Sequence, residues 1–138
     1  MPIVTFHVVR GRHDDDALAH LLTRASQLFA EVTESPIART RAFVDEHPAT
    51  RACVGGELVS QGADEAPFFQ AYLLAGRPQG QRDRLMSGFT DLLVEILGTD
   101  RSVIRGAIII VEPNDWCIAG VSAAELRADE IRARAAQG

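Results

Sequence analysis

Long apolar runs are missing from this sequence. None of its 138 residues falls in a stretch approaching the roughly 18 needed to span a bilayer. The start of the chain has neither the basic segment nor the cleavage motif of a secretory leader, so the chain reads as cytoplasmic and not bound to a membrane. Cysteine is scarce. Cys53 and Cys117 lie in different segments without a CxxC partner, which argues against a disulfide framework or a zinc ribbon, and both are read as small buried hydrophobes. His7, His13, His20 and His47 show no ligand spacing, so no metal is expected. There is no P-loop, GxGxxG or GxSxG, and no cofactor is expected. Charge blocks are absent too. A net charge of −5, with the two signs mixed, gives no reason to expect nucleic acid as a partner.

What remains is an ordinary globular composition, 46% apolar and 24% charged, in a chain long enough for one domain. The run Pro2 to Arg12 reads as an apolar strand stopped by Gly11-Arg12. The acidic residues Asp14, Asp15 and Asp16 then precede Leu18, Leu21, Leu22, Ala25, Leu28, Phe29 and Val32 at helical spacing. This predicts a helix of about five turns ending before Ser35-Pro36. A short strand over Thr40–Val44 follows, then a loop that takes in Glu46-His47, and a Gly55-Gly56 turn. Strand, helix and strand make a βαβ unit with parallel strands.

After a polar linker over Ser60–Ala66 the pattern repeats. Pro67–Leu74 reads as a strand ending at Gly76-Arg77. Leu85, Phe89, Leu92, Leu93 and Ile96 mark a helix closed by Gly98. Val103–Val111 reads as a β-branched strand carrying Arg105. Pro2 and Pro67 stand 65 residues apart, as do Gly11-Arg12 and Gly76-Arg77, while Arg41 and Arg105 stand 64 apart. The shared interval marks an internal duplication. The expected architecture is α/β (α+β), a single domain of two βαβ repeats over 1–59 and 66–121. It has a four-stranded sheet with two helices on one face. Residues 122–138 open on a Ser122/Glu125 capping box and read as a terminal helix packed on a neighbour. The sheet's second face needs a cover, which an oligomer supplies.

Candidate chemistry centres on Pro2. Removal of Met1 would leave it with a free secondary amine. An α-amine titrates near roughly 7.7–8.0, and nearby cations lower that further, so it could act as a general base at neutral pH. Pro67 holds the equivalent place with an amide nitrogen. Arg41 and Arg105 sit within apolar strands, where a cation needs an anion or solvent. Arg12 and Arg77 each follow a glycine at a strand end. Such guanidinium groups bind carboxylates and stabilise an enolate, or else lie on the surface. Trp116, the sole tryptophan, either walls a pocket or packs in a core or interface.

These residues together resemble the tautomerase superfamily, and in particular 4-oxalocrotonate tautomerase in both halves. The resemblance rests on Pro2-Ile3, Gly11-Arg12, Thr40-Arg41 and Gly55-Gly56-Glu57-Leu58, then on Gly76-Arg77, Arg105 and Trp116-Cys117-Ile118-Ala119-Gly120. It implies an isomerase, a cofactor-independent tautomerase of duplicated βαβ units that assembles as a homotrimer. Its substrate would be a small carboxylate, a 2-hydroxydienoate or 2-keto acid. By that resemblance Pro2, Arg77 and Arg41 are catalytic, while Arg105, Arg12 and Trp116 bind substrate. Members of similar length include malonate semialdehyde decarboxylase and the cis-3-chloroacrylic acid dehalogenases. Those imply a second reading, hydration, dehalogenation or decarboxylation of a three-carbon acid by a cationic Pro2. Their partner groups are missing here: Gln27-Leu28-Phe29-Ala30 has no histidine, Leu74-Ala75-Gly76-Arg77 has one arginine instead of two, and Ala38-Arg39 has no carboxylate. A third reading is a trimeric binding protein without chemistry.

Overall fold

The computed structural model describes residues 2–137. Strand β1 (Ile3–Val9) leads into helix α1 (Asp15–Thr33) and strand β2 (Arg41–His47). A tight hairpin follows, β3 (Cys53–Val54) and β4 (Glu57–Leu58). The second repeat places β5 (Phe68–Leu74), α2 (Gln79–Leu97) and β6 (Arg105–Val111) in the same order, then the hairpin β7 (Cys117–Ile118) and β8 (Val121–Ser122). The chain closes on two short helices, α3 (Ala123–Leu126) and α4 (Ala128–Gln137). The main sheet runs β2-β1-β5-β6. Within each repeat the strands are parallel, and β1 meets β5 antiparallel at the centre, with Ile3 opposite Tyr72 and His7 opposite Phe68. The fold is α+β, two βαβ units sharing one mixed four-stranded sheet, as the duplication predicts.

Local chemistry sets the boundaries. Asp14 caps α1 by accepting from the Ala17 N–H at 2.7 Å, and Asp15 and Asp16 fill the positive first turn. Gly98, at φ 69°, ends α2 in the left-handed conformation that lets its N–H reach back to the helix carbonyls. Strand alternation then decides the layers. Val4, Phe6 and Val8 face the helices and are buried, while Ile3, Thr5 and His7 face away and are half-buried. Phe6, Phe29, Phe69 and Phe89 meet at the core centre, with the ring of Phe89 edge-on to Phe6 at 5.8 Å and to Phe29 at 5.1 Å. Between the helices, Gly88 lets Leu28 approach so closely that a Cβ there would lie 2.6 Å from Leu28 Cδ2.

Four local expectations change. Strand β2 runs on through Asp45, Glu46 and His47, so Glu46-His47 is strand and not loop. Charged residues suit this edge strand because one face stays open. Strand β6 starts at Arg105, two residues later than Val103. Cys53 and Cys117 are exposed free thiols, because each begins a small hairpin that stands apart from the main sheet. The single terminal helix is instead two pieces, α3 and α4, and Arg39 holds Glu130 of α4 through a two-pronged contact of 3.0 and 3.1 Å. No helix among the described residues is long and apolar enough to cross a membrane.

Candidate active site

The sheet has two ends, and the antiparallel β1–β5 pairing assigns residues to them. The start of β1 and β2 and the close of β5 and β6 share one end, which therefore carries Pro2, Arg41 and Arg77. Trp116 joins it, its ring 6.4 Å from that of Tyr72, the residue opposite Ile3. The other end carries Pro67, Arg12 and Arg105. Each strand is seven residues long, so the ends stand on the order of 20 Å apart. Within one protomer the structure thus gathers four of the six candidate site residues and separates Arg12 and Arg105 from Pro2.

Pro2 is fully enclosed. Its carbonyl accepts the Arg41 N–H at 3.0 Å, just as the Pro67 carbonyl accepts the Arg105 N–H at 3.2 Å. Neither proline costs the sheet a ladder bond, because each stands one residue ahead of its strand.

At the Pro2 end a cavity of about 1010 Å³ opens between the close of α1, the start of α2 and helix α4. Pro2 is not among its lining residues. Arg77 is. This guanidinium reaches in from the turn after β5, its Nη1 donating to the Thr33 carbonyl at 2.7 Å and to Gln81 Oε1 at 3.3 Å, and its Nη2 to Ser35 Oγ at 3.3 Å. Its Nε–H is buried with no acceptor among the described residues. Burial, reinforced by the charge of Arg134, pulls Arg77 down to about 10 against the opposing pull of Glu34 and Glu130. It stays cationic at neutral pH but is under-solvated, which is the state in which a cation gains most from an incoming anion.

Arg39 and Arg134 line the same cavity with Glu34 and Glu130. Sequence reasoning passed over these four. Arg39 and Arg134 sit in segments with no strand or glycine signal, and only the docking of α4 turns them inward. The cavity wall thus holds three cations and two carboxylates, and all of its cations are arginines, since the chain has no lysine. Arg41 and Arg105 are exposed on the two edge strands. Their guanidinium groups lean on nearby carbonyls, Arg41 on Arg39 at 3.3 Å and Arg105 on Ser102 and Ile104 at 2.9 Å each. Neither side chain enters the interior of its own chain.

The duplication supplies an internal comparison. The second repeat's counterpart cavity, at the Pro67 end, is about 340 Å³ and is lined by Arg12, His13, Asp64, Glu65, Thr99 and Asp100 among others. A side chain of the linker occupies its rim. The Glu65 carboxylate accepts from the Val9 N–H and pairs with His13 Nε2 at 2.6 Å. The two cavities are related by the repeat but not equal: the first is larger and carries three arginines, whereas the second is smaller and carries Arg12 among His13, Asp64, Glu65 and Asp100.

Comparison with known proteins adds to this geometry. The sequence matches the family described as Tautomerase enzyme over residues 2–62 and 67–125, one segment per repeat. It is 42% identical over 60 residues to the 2-hydroxymuconate tautomerase of Comamonas testosteroni, which covers 44% of this chain and 95% of that enzyme. The 2-hydroxymuconate tautomerase of Pseudomonas putida is 38% identical over 60 residues with the same coverage. Among solved structures, a native fused 4-OT superposes with a TM-score of 0.84 at 27% identity, covering 91% of this chain and 98% of that one. An F6 fused 4-OT described as an asymmetric trimer gives 0.81 at 25% identity, with coverage of 90% and 98%. With a matched segment in each repeat and a shared architecture over nearly its full length, this chain belongs to the tautomerase family.

Proposed function

We propose that this protein is a cofactor-independent keto–enol tautomerase of small unsaturated 2-hydroxy acids, with the Pro2 amine as its base. The observation that carries this reading is Arg77, a half-buried cation with an unspent N–H, at the end of the sheet where β1 begins with proline. Removal of Met1 turns the Pro2 nitrogen from an amide into an amine. In this reading that free amine is the group that accepts the proton. The amine takes the proton of the enol hydroxyl, the C=O bond forms and the conjugated double bond shifts. The ammonium then returns the proton to carbon. Arginine binds the substrate carboxylate and stabilises the enolate as charge develops.

Arg41 and Arg105, on opposite edges of the sheet, serve such a site from neighbouring copies, and Arg12 reaches a Pro2 site only in the same way. Trp116 walls the Pro2 end. The assembly in this proposal is a homotrimer built on the open face of the sheet, where Phe43 and Phe68 are exposed. Solved relatives include fused 4-OT trimers.

The test is intact mass of untagged protein, then ketonisation of 2-hydroxymuconate and phenylenolpyruvate by wild type and Pro2→Ala. Loss of Met1, turnover by wild type and a fall of about 10²–10⁴-fold in the variant are expected. Retained Met1, or turnover that ignores Pro2, refutes the reading. Turnover with a Pro2 pKa well above neutral would instead favour the acid chemistry of a hydratase or decarboxylase.

A further inference from the structure

The open face of the sheet carries a cluster that the catalytic proposal does not use. Parallel pairing of β1 and β2 sets His7 directly opposite Asp45, and His47 follows two residues later on the same face. His7 Nδ1 lies 2.9 Å from His47 Nε2 and 3.7 Å from Asp45 Oδ2. All three donor atoms fall within 4.8 Å of one another. We propose that His7, Asp45 and His47 form a binding site for one divalent transition-metal ion of the zinc class on the open face of the sheet.

The ligand chemistry selects the class. Two imidazoles and one carboxylate suit zinc, cobalt, nickel or copper, whereas magnesium and calcium take oxygen donors. The geometry is close to ready. An ion held at about 2.0–2.1 Å in a tetrahedral site has its ligand atoms roughly 3.3 Å apart, so the histidine nitrogens need to part by only a few tenths of an ångström. The two rings lie nearly parallel, 20° between planes and 5.1 Å between centroids, and meet edge to edge. Without an ion one nitrogen must carry a proton toward the other. An ion replaces that proton and uses both lone pairs. Phe68 packs against the His7 ring at 5.7 Å and limits its rotation, while Asp45 is more than half exposed and free to swing in. Three ligands leave coordination positions open for water or for a group from another copy.

The site is assembled by a single chain. It lies five residues along β1 from Pro2, roughly 17 Å at strand spacing, so metal binding is read separately from turnover, while the trimer of the proposed function would set another copy on this same face. The test uses the untagged full chain, stripped of metal, dialysed against zinc and analysed for bound ion, with cobalt as a visible-absorption probe. About one ion per chain is expected for wild type. His47→Ala and Asp45→Asn should each weaken binding by more than about a hundredfold, beyond the roughly 10–100-fold that loss of an outer-shell partner costs, while His20→Ala binds as wild type. Asp45→Asn keeps the shape of an exposed edge residue, so it decides the question if His47→Ala folds poorly by circular dichroism. Binding below a tenth of an equivalent, or binding indifferent to both substitutions, overturns the proposal. The second result would place the ion elsewhere, with the exposed thiols of Cys53 and Cys117 the next candidates.

Discussion

Replacing Gly106 by alanine puts a methyl group where the ring of Phe69 now sits. The two residues face each other across β5 and β6, and a Cβ on Gly106 would fall against Cζ, Cε1 and Cε2 of that ring, inside any permissible contact. Phe69 has little room to give way. It is 2% exposed and wedged against Phe89 at 5.6 Å and Phe6 at 6.4 Å. If the ring shifts within the core, the cost is that of overpacking, about 1–3 kcal/mol. If it is expelled, the cost approaches that of deleting a buried phenylalanine, about 3–5 kcal/mol. Alanine returns about 0.4–1 kcal/mol by stiffening the unfolded chain, which is too little to change the sign. A net loss of about 2 kcal/mol is expected. Urea unfolding at fixed protomer concentration reads it as a fall of about 1 M in midpoint with an unchanged slope. Adding Phe69→Leu to the variant should recover part of the loss, since the two side chains compete for one volume. A loss under about 0.5 kcal/mol, or effects of the two substitutions that simply add, would refute the argument.

The functional proposal makes a sharper demand on the arginines. Arg77→Gln should lower kcat/KM by about 10²–10³-fold, while Arg12→Gln, at the cavity rimmed by Glu65, should change it less than threefold. Equal losses in steady-state assays would show that Arg12 enters the Pro2 site from another copy. The docking of α4 should depend on pH. The hydrogen bond from Arg39, with the charges of Arg39, Arg127 and Arg134, holds the Glu130 carboxyl below its usual value. Its contribution is therefore present above the ordinary glutamate pKa and is lost as pH falls through the depressed one. Hydrogen exchange should find α4 better protected at pH 7 than at a pH well below the ordinary glutamate range, with Glu130→Gln losing that difference. Protection that survives acid would place the hold on α4 elsewhere.

Much of this fold was legible because its signals are local and come twice. The alternation of β1, the spacing of Leu18 through Val32 and the Asp14 cap each need only neighbouring residues. The 64–65-residue interval then joins them into repeats. Strand β2 was cut short because Asp45-Glu46-His47 has no apolar alternation. Its hydrogen bonds to β1 hold it in register, and those are invisible to periodicity. The two-residue ladders of β3–β4 and β7–β8 are too short for any period, and only the Gly55-Gly56 and Ala119-Gly120 turns announce them. Of the candidate site, Pro2 and Arg77 stood out by position. Arg39, Arg134 and Glu130 did not, because their meeting depends on α4 folding back across 91 residues of chain. The same holds for His7 and His47, whose 40-residue separation fits no ligand motif and is closed only by strand pairing.

The second proline bears on counting. Pro67 has peptide bonds on both sides, Glu65 stands at the rim of the cavity at its end of the sheet, and the sequence offers no lysine anywhere. However the protein assembles, an aldehyde or acylating reagent that seeks an aliphatic amine finds at most one per chain. The curated relatives align over 60 residues, about one repeat of this chain, and here two repeats share one terminus. Titration to a single equivalent would therefore mean full occupancy of this protein and not half.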